Sequence, residues 1–258
     1  ILLKPLMSDE KVASLEGTWI DNKYLKTLIK EDCDIYGLTP SNKKILLAKF
    51  RKNVIPENLI KIGFDNFRRL AKPSRGRGAS AGPIDANSTY WKKRKLAATD
   101  KWSTSYTDSK GNKSKMKVNN QVASNPVGFF EATPFMKLPC RLTHHTRTNY
   151  SQFMDGMSFI RFIDQCFKIL IPENHKKQLH RANKRKDLKL KGTCFSTITV
   201  NRNFRTALHK DAGDFIDGFG NLSVIERGKY SGGYTMFPQW GVGFDVRNGD
   251  FLAMDVHQ

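Results

Sequence analysis

Three things are scarce in this sequence. Cysteine occurs only as Cys33, Cys140, Cys166 and Cys194, with no C-x-x-C pair. That speaks against both a zinc ribbon and a disulfide framework, so the thiols are expected to be reduced and mostly buried. No apolar run approaches the roughly 20 residues of a spanning helix, and nothing at the start resembles a signal peptide. A soluble, intracellular protein with no membrane partner is therefore expected. Acidic residues are the third shortage, 24 Asp plus Glu against 44 Lys plus Arg, for a formal charge of +20. Such an imbalance points to a polyanionic partner, with a merely solvated basic surface as the alternative. There is no internal repeat either. At 258 residues the chain can bury a proper core as a single elaborated domain. It begins at Ile1 rather than Met and stops one residue after His257, which suggests part of something longer.

Residues 1–72 are expected to form N-terminal helical additions. Ser8 before Asp9 and Glu10 reads as a helix start, and Asp21 with Asn22 leads into YLKTLIK, whose Leu25, Leu28 and Ile29 would share a helical face. Pro56 opens an amphipathic stretch with Leu59, Ile60, Phe64, Phe67 and Leu70 at helical spacing. Residues 73–120 read as a basic region of loop and hairpin. Its KPSRGRGASAGP run has glycines that let the backbone approach a phosphate chain closely, which makes Arg75 and Arg77 candidate DNA contacts. Lys92, Lys93 and Arg94 in WKKRK join them, interleaved with Tyr90, Trp91 and Trp102 as stacking aromatics. Asp108–Lys117 around Gly111-Asn112 reads as a hairpin.

Residues 121–258 carry the core. Asn125-Pro126 reads as a turn feeding a strand, and His144 and His145 as strand neighbours on opposite faces, structural or phosphate-facing rather than metal ligands. Residues 151–171 hold apolar side chains three or four apart, a helix. Strands are read at Thr193–Val200, Leu222–Glu226, Tyr234–Phe237, Gly243–Val246 and Phe251–Val256, separated by glycine, proline and Asn-Gly turns. Short strands at this spacing suggest an α+β chain with a double-stranded β-helix (jelly-roll) core and N-terminal and flanking helices.

The chemistry is concentrated after the first of those strands. His209 and Asp211 are two apart, so an extended segment would set both side chains on one face around a single ion. His257, far along the chain in FLAMDVHQ, supplies a second imidazole. Chance alone gives roughly 0.4 His-x-Asp triplets at this His and Asp content, so context carries the reading. Two imidazoles and one carboxylate suit iron(II), which keeps an open face for a co-substrate and O2. Zinc could use the same residues for hydrolysis, and spacing does not separate the two metals.

The runs TITVNRNFRTALHKDAGDFIDGFGNL and GDFLAMDVHQ, with KPSRGRGASAGP, SNPVGFF and PCRLTHHTR upstream, resemble the TET/JBP family of DNA base dioxygenases, closest to its short viral or microbial members. The resemblance implies iron(II) held by His209, Asp211 and His257, with 2-oxoglutarate and O2 as co-substrates. It implies oxidation of the 5-methyl group of a flipped-out 5-methylcytosine in double-stranded DNA to 5-hydroxymethylcytosine and onward to formyl and carboxyl products, with Asp214 and Asn125 reading the base. Thymine hydroxylation, or a catalytically silent DNA-binding module, are the alternatives. The family's arginine for the distal carboxylate of 2-oxoglutarate lies beyond the second histidine, past Gln258, and Arg205 is the candidate within the chain. A monomer acting on DNA, in the nucleus or in a host cytoplasm, is expected.

Overall fold

A computed structural model describes residues 1–74, 77–83, 103–107, 113–117, 122–131, 140–211 and 213–258. In chain order its elements begin with β1 (Leu2–Leu3), α1 (Asp9–Ala13), β2 (Thr27–Ile29), β3 (Cys33–Leu38), β4 (Lys44–Arg51) and α2 (Glu57–Phe67). Next come β5 (Pro73–Ser74), β6 (Ser103–Thr107), β7 (Lys113–Lys117), β8 (Val122–Glu131) and β9 (Cys140–Leu142). Helices α3 (His144–Thr148), α4 (Tyr150–Asp155), α5 (Met157–Leu170) and α6 (Pro172–Asn183) follow. The last strands are β10 (Thr197–Asn201), β11 (Gly220–Ser223), β12 (Thr235–Phe237), β13 (Val242–Phe244) and β14 (Phe251–Met254). The architecture is mixed α and β. A five-stranded sheet runs in the order β1-β3-β4-β14-β11; β10-β8-β5 form a second sheet, with β9 also on β8; and β12-β13-β2 form a third.

Strand β14 ties the molecule together because alternate residues of a strand face opposite ways. Its Phe251 and Ala253 enter one core, against Ile60 and Phe67 of α2 and Ile160, Ile163 and Phe167 of α5. Its Leu252 enters the other, with Phe50, Phe244, Val242 and Trp240. The five-stranded sheet is thus covered by helices on one face and by the small sheet on the other. Burying a side chain such as Phe251 or Leu252 contributes about 1.5–3 kcal/mol, which makes these layers the main stabilising term. Gly156, between α4 and α5, is required by close approach, since a Cβ there would run into the Phe67 ring.

One buried polar node fastens α5 to α6. Asp164 accepts from the backbone N–H of Cys194 at 2.7 Å and lies 3.2 Å from Nε2 of His175. Burial first, then the Asp164 charge, pushes the Cys194 thiol far above its ordinary range. The Cys194 N–H and the His175 ring converging on one carboxylate account for this cluster as a hydrogen-bonded tie.

The N-terminal third departs from the sequence reading. Helices form at Asp9–Ala13 and Glu57–Phe67, yet YLKTLIK leads into strand β2, and residues 33–38 and 44–51 are strands of the main sheet. The reason is tertiary pairing. β2 lies parallel to β13, with Thr27 opposite Val242, and β4 lies antiparallel to β14, with Phe50 opposite Leu252. Sheet partners this distant override local helical spacing. His144 and His145 sit in a helix rather than a strand, because Thr143 caps it by accepting from the N–H of Thr146. The segment 151–171 is helical but divided at Gly156. β7 falls within the expected hairpin at Asp108–Lys117 but pairs with β6, which precedes those bounds, while the Gly111-Asn112 turn lies outside the described residues. Among the described residues no helix is long and apolar enough to cross a membrane.

Candidate active site

After β10 residues 202–211 and 213–219 lie in neither helix nor strand, so something else must hold the His-x-Asp pair. Backbone hydrogen bonds do this. Ala207 N–H donates to Ser80 O at 2.9 Å, Leu208 N–H to Thr18 O at 2.9 Å, and Gly17 N–H to Leu208 O at 2.8 Å. The segment before His209 is therefore clamped between the N-terminal region and the glycine-rich run at 78–82. Asp211 N–H points at Val256 O, 3.4 Å away, which brings the pair beside the chain that follows β14. A turn, with Asp214 N–H donating to Asp211 O at 3.0 Å, replaces the extended segment expected here.

The two side chains meet nonetheless. Nε2 of His209 is 3.4 Å from Oδ1 of Asp211. Nδ1 of His209 lies 2.8 Å from the carbonyl of Ala207, and since a carbonyl only accepts, this nitrogen carries the proton. In the neutral ring the lone pair of Nε2 then faces a carboxylate oxygen, an arrangement that calls for a proton or a cation between them. Burial opposes charge on His209, but the hydrogen bonds of Asp211 and the Ala207 carbonyl prevail and raise its pKa. The same His209 contact, helped by the charges of Arg77 and His257, holds Asp211 below the usual carboxylate value against the effect of burial.

His257 follows β14, with its N–H on Asp255 Oδ1 at 3.0 Å and Nε2 3.3 Å from the carbonyl of Phe215. The ring is close enough to act electrostatically on Asp211 and Asp214. Its ring nitrogens do not gather with His209 Nε2 and the Asp211 carboxylate as tightly as the Asp164, His175 and Cys194 ligand atoms, which lie within 4.8 Å of one another. Asp214 is raised, first by burial and then by the Asp211 charge.

His209, Asp211 and Asp214, though not His257, line a cleft of about 360 Å³ whose wall also includes Glu16, Arg77 and Ser80. Arg77, read from the sequence as a DNA contact, faces this cleft, and its buried Nε has no hydrogen-bond partner among the described residues. Arg205, the sequence candidate for the co-substrate, is not brought to the cleft. Its guanidinium donates to Ile20 O at 2.8 Å and stacks over Trp19, 5.4 Å from the ring centre, which turns it to the N-terminal region. Asn125 is inside β8 instead of in a turn, and its Oδ1 accepts from Lys72 N–H at 2.7 Å. Arg75, Lys92, Lys93 and Arg94 lie outside the described residues. Glu16 and Ser80 were missed. Ser80 sits in the glycine-rich run already singled out, whereas Glu16 gives no local signal.

A second cleft, of about 490 Å³, is lined by Arg69, Lys72, His145, Asn149, Gln152 and Arg202. Three cations and no carboxylate make it attractive to anions. Within it His145 is pushed below its ordinary value by burial, then by Lys72 and His144.

Residues 126–258 match the Tet_JBP family, described as the oxygenase domain of the 2OGFeDO superfamily. The chain is 40% identical over 131 residues to the bifunctional helicase and thymine dioxygenase JBP2 of Leishmania braziliensis, covering 50% of this chain and 12% of that protein. It is 35% identical over 136 residues to the thymine dioxygenase JBP1 of Trypanosoma brucei brucei, covering 52% of this chain and 16% of that protein. The chain thus spans a small part of the length of these curated relatives. A solved structure of NgTET1 in complex with 5mC DNA aligns over 98% of this chain and 83% of that one, at 11% identity and a TM-score of 0.46. The chain, with His209, Asp211 and His257 all inside the matched region, belongs to the Tet_JBP family of oxygenase domains.

Proposed function

We propose that this chain is a DNA base dioxygenase that uses iron(II), 2-oxoglutarate and O2, with His209, Asp211 and His257 holding the iron. The observation that carries the proposal is Nε2 of His209 facing Oδ1 of Asp211 at 3.4 Å on the wall of a cleft, within a chain of the Tet_JBP family. The iron and its co-substrate supply the oxidising chemistry when bound. The Ala207 carbonyl fixes the His209 ring so that Nε2 is the ligand atom. Arg77, whose buried Nε–H has no partner among the described residues, is the residue we assign to a carboxylate of 2-oxoglutarate in place of Arg205. The strand pairs β8/β10, β11/β14 and β12/β13 fit the walls of a double-stranded β-helix with the cleft at its mouth.

The partner is double-stranded DNA, drawn by the +20 charge. A 5-methyl group is reached only in a flipped-out base, and the carboxylate of Asp214 on the cleft wall can accept from N4 of 5-methylcytosine. Asn125 would read the same base through its amide NH2, since its oxygen is engaged by Lys72. The JBP relatives, whose names give thymine as the base, favour a second reading as a thymine hydroxylase.

One experiment separates these. Methylated duplex DNA is incubated with the protein, Fe(II), 2-oxoglutarate and ascorbate, and the nucleosides are analysed by mass spectrometry. 5-Hydroxymethylcytosine supports the first reading and 5-hydroxymethyluracil the second; no oxidised base sinks both. Asp214→Ala is expected to depress 5-methylcytosine oxidation at least tenfold, about the effect of one lost base-reading contact. Unchanged turnover would remove Asp214 from the base-reading role.

A further inference from the structure

The loop that follows Asp214 carries an isoleucine in a place where local structure has no use for one. Phe215–Gly218 is a tight turn, closed by Gly218 N–H donating to Phe215 O at 2.8 Å. Its two corner positions are Ile216 and Asp217. Corners of such turns favour Pro, Asp, Asn, Ser or Gly, and aspartate at 217 fits that preference while isoleucine does not. Ile216 is 72% exposed, the largest exposure among the exposed large apolar side chains of the described residues.

The turn is not loose. Asn174 Nδ2 donates to Asp217 O at 2.8 Å, and Lys177 Nζ lies 3.2 Å from Asp217 Oδ1, both from α6. Gly218 is packed so closely on the same helix that an added Cβ would stand 2.5 Å from Gln178 Oε1. On its other side the Phe215 carbonyl meets the His257 ring at 3.3 Å. A β-branched side chain with few rotamers is thereby held out to solvent on a braced support. Two chain steps put it within roughly 7 Å of Asp214 at Cα, at the edge of the candidate active cleft.

We propose that Ile216 is a wedge that enters the DNA base stack beside the target nucleotide and fills the space the flipped base leaves. Proteins that kink or unstack duplexes insert apolar side chains such as Ile, Leu, Phe or Met between base steps, and enzymes that act on a base must keep its vacated place from re-closing. Lys177, exposed beside the turn, is positioned to meet a flanking phosphate. The inference rests on the proposed DNA base oxidation. It adds that opening the duplex, as distinct from the chemistry, depends on this one side chain.

The test compares wild type with Ile216→Ser and Ile216→Leu, substitutions at an exposed position that leave both cores intact. Each is given a duplex and a single strand of the same sequence, and 2-aminopurine next to the target base reports unstacking by fluorescence. Expected for Ile216→Ser is a loss of roughly tenfold or more in duplex turnover and loss of most of the fluorescence rise, in line with the cost of unstacking a base step. Single-strand turnover should stay within about twofold, because a single strand needs no opening. Ile216→Leu should restore both duplex signals. Equal losses on duplex and single strand, or no loss on either, would overturn the wedge. If wild type oxidises neither form, the underlying reading has failed. The fluorescence then decides the wedge alone, and a rise that does not depend on Ile216, or no rise at all, overturns it.

Discussion

Nε2 of His209 and Oδ1 of Asp211 face each other at 3.4 Å while Nδ1 of the same histidine is committed to the Ala207 carbonyl. Two acceptor atoms in that position gain from a cation between them. Mn(II), a redox-silent stand-in for iron, is therefore expected to raise the thermal midpoint, with about 2.7 kcal/mol of stabilisation at a hundredfold excess over Kd. His209→Ala and Asp211→Asn should abolish the shift. A variant that keeps it would place the ion elsewhere, with the Asp164–His175–Cys194 node as the next site to examine.

The two arginines near this segment predict opposite phenotypes. Arg77→Met should weaken 2-oxoglutarate binding about tenfold or more by calorimetry with Mn(II) present, because a charge-assisted contact in a partly buried cleft is lost. Arg205→Met should leave that affinity unchanged and instead lower stability by about 1 kcal/mol, through the lost stacking on Trp19 and the lost bond to Ile20. Reversed results would return the co-substrate to Arg205.

His145 makes stability depend on pH. Burial, then Lys72 and His144, lower its pKa in the fold from the ordinary value of 6.5, with only the Leu70 carbonyl opposing. A group whose folded pKa is depressed leaves the unfolded chain binding the extra proton. Its contribution is therefore complete above about pH 6.5 and is lost as pH falls through the window below it. Chemical denaturation at pH 7.5 and pH 5 should show this loss. His145→Gln, which does not titrate, should flatten the dependence.

Packing at Gly156 can be checked without any ligand. Gly156→Ala should destabilise by about 1–3 kcal/mol, since the new methyl meets the Phe67 ring between α4 and α5. Combining it with Phe67→Leu should recover part of the loss in a double-mutant cycle, as expected of two groups in contact.

Much of the C-terminal half could be read from sequence because its signals are local. The apolar spacing of α5 and the turn-punctuated strands β10 to β14 are written in neighbouring residues, and so is the two-residue step from His209 to Asp211. The N-terminal strands could not be read in that way. β4 has β14 for a partner, some two hundred positions away, and Leu25, Leu28 and Ile29 carry a helical spacing that pairing with β13 overrides. Arg77 was read from the sequence as a DNA contact, but not as a residue of the His209–Asp211 cleft, where the structure puts it. A glycine-rich run has no periodicity to say which way its side chains face, and its direction comes from the Ser80–Ala207 hydrogen bond. Asn125 looked like a turn opener before proline, yet its neighbours across the sheet make it a strand residue.

Strand β14 has a consequence in time as well as in space. It sits between β4 and β11 and divides its side chains between both cores, so it can dock only once segments from opposite ends of the chain have found each other. Contacts of such long sequence separation form late and slowly. His257 rides three residues behind that strand. A half-folded chain would offer the His209–Asp211 pair without the imidazole of His257, so the ligand set we propose would be complete only in molecules that have finished both layers.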